Sequence, residues 1–196
     1  VVVSHPHPDH YGGLVPVLAS IEVARVRAPR AARAGEDDYA ALLAGHRVEV
    51  AARDPPLVLH PRPGWASPAR DPVNDESLVV RVDHGRRRFL FPGDVEAAGE
   101  AALLDEDVRA DVLKVPHHGS RTSSSPALVA RVAPEVAVVS CGAGNTYGHP
   151  HPRALAAYRG TRLYRTDRDG NVVVRTDGER LDVTTTERPE RWRLSD

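Results

Sequence analysis

Methionine is absent from these 196 residues, cysteine occurs once, and Lys114 is the only lysine. A single cysteine, Cys141, excludes an internal disulfide framework. No apolar run approaches the roughly 18 residues that a bilayer-crossing helix needs, and nothing resembles a signal peptide. Every basic residue except Lys114 is arginine, a bias that reflects genome composition, and the formal net charge is only −1, so charge alone gives no case for a nucleic-acid partner. Aromatic residues are scarce at 5%, but the apolar share of 41% and charged share of 27% are ordinary for one soluble, well-cored domain. With no initiator and a start directly on the apolar run Val1-Val2-Val3, the chain is expected to lack strands that precede it.

What is present is concentrated histidine. His5, His7, Asp9 and His10 fall within six residues, between that β-branched run and the pair Gly12-Gly13. Neutral imidazoles with a carboxylate at the mouth of a buried strand suit a borderline-soft divalent cation better than they suit packing. Downstream the chain alternates apolar β-branched runs with helical spacing, the pattern of a layered α/β fold. Strands are expected at 21–26, 48–51, 57–59, 77–82, 88–91, 111–115 and 136–140, and helices at 14–20, 36–44, 96–104, 124–132 and 154–158. Ser124 ahead of Pro126 reads as a helix N-cap. Runs 163–166 and 172–176 flank Asp169-Gly170, a hairpin signal. A proline-rich stretch, 60–73, is expected as a loop at the rim of the site, and 187–196 as a solvated end.

Several strand ends deliver groups that bind metals. After the first cluster come Asp94 behind Pro92-Gly93, then His117 and His118, then His149 and His151. Loops at one edge of a layered sheet converge, so these can share a site. Two divalent ions about 3.5–4 Å apart, joined by a carboxylate and with a hydroxide between them as nucleophile, would use such a set in hydrolysis. Ser120 and the serines after it read as turn and cap residues, since a metal centre needs no serine nucleophile. His151, His46, His60 and His84 read as structural or surface groups, Cys141 as a small buried apolar residue, and the arginines at 25, 27, 30, 33 and 86–88 as solvated faces.

His5-x-His7-x-Asp9-His10, Gly93-Asp94 and the later histidine loops resemble the metallo-β-lactamase fold. Within that fold, 113–120 (Leu-Lys-Val-Pro-His-His-Gly-Ser) and 145–151 (Asn-Thr-Tyr-Gly-His-Pro-His) are similar to the C-terminal domain of ComEC-type DNA-uptake proteins and their stand-alone hydrolase relatives. The resemblance implies a four-layered αββα sandwich over residues 1–178, with its N-terminal strands missing and 179–196 as a polar tail. It implies that His5 and His7 hold one metal, Asp9 and His10 the other, and that Asp94 bridges them. By strand order His149 is the favoured last ligand, leaving His117 and His118 beside the metals as hydrogen-bond donors or general acid; the alternative assignment exchanges those roles. Where the wider fold places a third histidine for the first metal, this chain has Asn74. An amide oxygen is a harder and weaker ligand, so that ion is expected to be loosely held, or to be Mn²⁺ where Zn²⁺ would otherwise sit. Asn74 and Ser120 are accordingly further candidates for metal or substrate contact.

The function implied is a binuclear Zn²⁺- or Mn²⁺-dependent phosphodiesterase that cuts DNA during uptake, with Asp9, His117 and His118 at the reacting centre. The fold hosts many chemistries. A small-molecule phosphodiesterase, an ester or lactone hydrolase, and a non-catalytic docking domain of a membrane DNA channel are the other readings. As part of a membrane protein the domain would lie on an aqueous face of the membrane; standing alone it would be soluble.

Overall fold

The computed structural model describes residues 1–29, 37–44, 48–49 and 57–186. His46, Arg30, Arg33 and the end 187–196 lie outside the described residues, so the readings made for them are not carried further.

A six-stranded sheet dominates, built from β3 (Leu57–His60), β4 (Val79–His84), β5 (Arg87–Phe91), β6 (Val112–Lys114), β7 (Val136–Val139) and β8 (Arg162–Arg165) in that spatial order. The pairs β3·β4 and β4·β5 are antiparallel; β5 through β8 run parallel. Parallel neighbours need crossovers. Helix α4 (Ala97–Leu103) supplies the first and α5 (Pro126–Val132) the second, while α6 (Pro152–Ala156) lies between β7 and β8. These crossovers cover one face, where Leu90, Leu113, Ala137 and Val139 pack with Leu103, Leu128, Val132 and Tyr158 in the larger core.

A smaller parallel pair, β1 (Val26–Arg27) with β2 (Val48–Glu49), is extended by a bridge from Val2 to Arg27. Over it lie α2 (Leu14–Ser20) and α3 (Asp37–Leu43), closing a second core of Val3, Leu14, Val26, Ala28 and Tyr39. The order helix, sheet, sheet, helix is an αββα arrangement. Ser4 joins the halves: its carbonyl accepts from Leu78 N at 2.7 Å. Between the sheets lies a cavity of about 410 Å³, lined on its apolar side by Val2, Leu78, Val80 and Phe91 and on its polar side by His10 and Lys114. Among the described residues no helix is long and apolar enough to cross a membrane.

Four local expectations are corrected. The strand expected at 21–26 is confined, among the described residues, to Val26–Arg27. Residues 163–166 do not pair with 172–176: β8 joins β7, and Thr166–Asp169 winds as a helical turn, α7. The partner of β9 (Val172–Thr176) is β10 (Leu181–Thr185), so the chain beyond residue 178 continues as a strand where a tail was expected. Asp177-Gly178 closes that hairpin, with Asp177 Oδ1 accepting from Glu179 N and Arg180 N at 2.9 and 2.7 Å. The N-cap of α5 is Ser125, whose hydroxyl accepts from Leu128 N; Ser124 sits at φ 66° and bonds Tyr158 Oη instead.

Candidate metal centre

Each donor reaches the site by a short local device. Pro8 opens the single turn α1 (Pro8–Tyr11), which carries Asp9 and His10, while His5 and His7 lie on the extended segment before it. Asp94 follows β5 through Gly93 at φ 60°, where a Cβ would stand 2.7 Å from Ser77 Cβ and 3.0 Å from Ser4 Cβ. Only glycine permits that approach, and it brings Asp94 against the histidine loop. After β6 a 3-10 turn, Pro116–Gly119, holds His117 and His118 in the left-handed region at φ 47° and 52°. Two adjacent non-glycine residues there are strained, a cost of order 1–3 kcal/mol each that surrounding contacts must offset.

The donors converge on one oxygen. Asp94 Oδ2 lies 3.2 Å from His10 Nε2, 3.4 Å from His118 Nε2, and 3.9 Å from both His5 Nε2 and His117 Nε2. Asp9 Oδ2 stands 3.5 Å from His10 Nε2 and 3.5 Å from His118 Nε2. Imidazole nitrogens also face each other, His5 Nε2 with His7 Nδ1 at 3.0 Å and His10 Nε2 with His118 Nε2 at 3.1 Å. Four ring nitrogens around one carboxylate oxygen exceed the hydrogen bonds its lone pairs can take. Ligand atoms on a tetrahedral ion bound at about 2.0–2.1 Å are separated by about 3.3–3.4 Å, close to these spacings. Two overlapping ligand sets result, His5 with His10 and Asp94, and Asp9 with His10 and His118. Nitrogen and carboxylate donors so arranged fit a divalent cation.

The opposite ring nitrogen of most of these histidines is tied down, which fixes the ring. His5 Nδ1 meets Ser4 Oγ and Ser77 Oγ at 3.1 and 3.2 Å, and His10 Nδ1 meets Ser4 Oγ at 2.9 Å. His118 Nδ1 donates to the Ser140 carbonyl at 2.7 Å, which turns the Nε2 end of the ring to Asp9 and Asp94. His117 Nδ1 lies 3.2 Å from Glu96 Oε1. Lys114 Nζ, 3.4 Å from Asp94 Oδ1, occupies the other oxygen of that carboxylate.

Electrostatics keep the set ready for a cation. Burial, reinforced by neighbouring His10, pushes the His5 imidazole down to about 3, so it is neutral at pH 7. Burial alone would raise the Asp94 carboxyl, but hydrogen bonds from His10 and His118 together with the Lys114 charge outweigh it and hold the group ionised far below the usual range. The Asp94 hydrogen bond raises His118; burial lowers His117 and His149.

The structure therefore brings together His5, His7, Asp9, His10, Asp94, His117 and His118. His149, the favoured last ligand by strand order, stands outside both ligand sets; its ring lies 5.7 Å from that of His117 between centroids and 6.0 Å from that of Tyr147, which stacks on it. Its Nδ1 is buried without a hydrogen-bond partner. Asn74 Oδ1 is likewise buried and unpartnered, while Asn74 Nδ2 donates to Glu96 Oε1 at 3.3 Å. Ser120 is engaged with Thr122 Oγ1 at 2.8 Å. His151 caps α6 by accepting from Arg153 N, and buried His60 donates to the Asp75 carbonyl at 2.8 Å, both structural tasks. Sequence reasoning passed over Glu96, Ser77 and Lys114. Their positions two residues after Asp94, three after Asn74 and three before His117 were the available signal.

Residues 1–143 match the Metallo-beta-lactamase superfamily. The chain is 30% identical over 193 residues to ComE operon protein 3 of Bacillus subtilis, covering 89% of this chain and 24% of that protein. It is 36% identical over 113 residues to Recombination protein 2 of Haemophilus influenzae, covering 56% of this chain and 14% of the relative. With Competence protein ComA of Neisseria gonorrhoeae it shares 39% identity over 102 residues, 50% of this chain and 15% of that one. The chain thus spans a quarter or less of the length of these relatives.

Proposed function

Because the chain belongs to the metallo-beta-lactamase superfamily, we propose that it is a binuclear metal-dependent phosphodiesterase that cleaves DNA. The observation that carries this reading is the gathering of four imidazole Nε2 atoms within 3.9 Å of Asp94 Oδ2. One cation would be held by His5, His7 and Asp94, with Asn74 Oδ1 as a weak further donor, and the other by Asp9, His10, His118 and Asp94. Here His118 takes the place expected for His149. Bound divalent ions, Mn²⁺ or Zn²⁺, would polarise a phosphoryl oxygen and lower the pKa of water.

The chain's own groups do the rest. Ser4 and Ser77 hold His5 and His10 in register, and Lys114 keeps Asp94 Oδ1 occupied so that Oδ2 faces the donors. His117 Nε2, 3.9 Å from Asp94 Oδ2 with the His149 ring nearby, would take up the proton released as water attacks and pass it to the leaving oxygen. DNA as substrate is supported by the names of the relatives, two of which are a competence protein and a recombination protein. In a DNA-uptake role the domain would work on an aqueous face of the cell membrane.

The test sets wild type beside Asp94→Ala, each supplied with Mn²⁺ or Zn²⁺, on single-stranded DNA and on a generic aryl phosphodiester. Wild type should cut DNA, and the variant should lose at least about a hundredfold in rate while keeping its circular dichroism. Unchanged turnover in the variant sinks the metal mechanism; activity on the small diester alone sinks the DNA assignment.

A further inference from the structure

Glu96 lies just beyond the bridging aspartate, ahead of the first turn of α4, and is not one of the metal donors. Its Oε1 gathers three groups: His117 Nδ1 at 3.2 Å, Asn74 Nδ2 at 3.3 Å and Thr122 Oγ1 at 3.1 Å. These come from three separate segments, the 3-10 turn after β6, the loop before β4 and the loop before α5. Asn74 Nδ2 and Thr122 Oγ1 donate hydrogen bonds to it, and His117 Nδ1 stands at ion-pair distance; because a carboxylate oxygen is acceptor-only, that contact favours a proton on Nδ1. That requirement has a consequence for each partner's other end.

For His117, a proton on Nδ1 directed at Glu96 leaves Nε2 as the atom turned toward Asp94 Oδ2, 3.9 Å away. For Asn74, the amide nitrogen directed at Glu96 turns the amide oxygen the other way, and Oδ1 is the buried atom found without a partner. A buried amide oxygen left unsatisfied costs about 1–3 kcal/mol, so something must hold the amide in this sense. Thr122 Oγ1, its one hydrogen given to Glu96, accepts from Ser120 Oγ at 2.8 Å within its own loop, which fastens the hub to the serine-rich loop.

We infer that Glu96 is a positioning residue that sets the His117 tautomer and the Asn74 amide orientation together, presenting His117 Nε2 to the substrate side and Asn74 Oδ1 to the first cation. This rests on the metal-centre reading above for its functional meaning, but the contacts gathered at Glu96 Oε1 belong to the chain itself. The carboxylate acts through two neighbours and touches neither substrate nor ion. A glutamate there also accounts for how an asparagine can serve where an imidazole would otherwise be expected, since an amide free to flip would offer a nitrogen as often as an oxygen.

Two measurements test it. In the metal-free wild type, long-range ¹⁵N–¹H correlation should show His117 protonated on Nδ1, and Glu96→Ala should lose that preference. Cobalt(II) titration followed by ligand-field absorption should then show one of two bound ions weakened roughly tenfold to a hundredfold in Glu96→Ala, while Glu96→Gln, which keeps an acceptor oxygen, stays within about threefold of wild type. A His117 found with its proton on Nε2 in the wild type overturns the inference, even if the alanine variant fails to fold. So does a folded Glu96→Ala with wild-type cobalt affinity, spectrum and tautomer. Wild type that binds no cobalt overturns the metal-centre reading instead, and the tautomer measurement still decides the role of Glu96.

Discussion

Acidifying the metal-free chain from pH 7 to pH 5 should cost it a substantial part of its stability, and His5 is the main reason. Its ring is fully buried, and its folded pKa of about 3 lies well below the ordinary 6.5. A base whose pKa is depressed by folding is protonated first in the unfolded state, so the unfolded chain binds more protons and stability falls as pH drops below 6.5. Across 1.5 pH units below that value a single such group contributes about 2 kcal/mol, at 1.36 kcal/mol per unit. Against a total stability of about 5–15 kcal/mol this is easily measured. His60, His117 and His149 are lowered too and act in the same direction, whereas His118, raised by Asp94, opposes them. The His5 share is isolated by comparing urea unfolding of wild type with His5→Gln at both pH values in the presence of a chelator. The variant should lose about 2 kcal/mol less than wild type over the interval. Identical pH dependence in the two proteins would refute the argument that the ring is held neutral by burial.

Two substitutions probe the frame around the centre. Gly93→Ala should destabilise by about 2 kcal/mol or more in urea unfolding, because a Cβ at φ 60° would press on Ser77 and Ser4; a change under about 0.5 kcal/mol would show that the loop can yield. Glu100, buried and raised by burial, accepts from the backbone amides of Ser124 and Ser125. Glu100→Ala should lower stability by about 2–4 kcal/mol by stranding those amides, read as a loss of thermal midpoint, and an unshifted midpoint would argue that water replaces the carboxylate.

How much of this could be read from the chain depended on distance along it. His5, His7, Asp9 and His10 were legible because one loop carries them all and their spacing is itself the geometry. Asp94 was legible from glycine followed by a carboxylate at a strand's end. The choice between His118 and His149 was not, because both follow consecutive parallel strands and nothing in the spacing says which loop bends back. The left-handed backbone at His117 and His118 sets His118 beside Asp9 and Asp94, and no residue type announces that turn. The chain offers two Asp-Gly steps, and turn chemistry cannot say which closes a hairpin; β8 prefers the open edge of β7, leaving Asp177-Gly178 to do so. Glu96 looked like an ordinary acidic residue at a helix start, since its three partners are up to 26 residues away.

Among the described residues the buried apolar side chains form two separate clusters. His5 through His10 hang from the small core, and Asp94, His117 and His118 from the large one, with the Ser4–Leu78 backbone bond as a direct stitch between them. A cation held by groups from both sides would therefore serve as a rivet as well as a reagent. Its binding energy would decide whether the layers unfold as one cooperative body or whether the small one peels away first, so that metal supply would govern the mechanical integrity of the domain along with its chemistry.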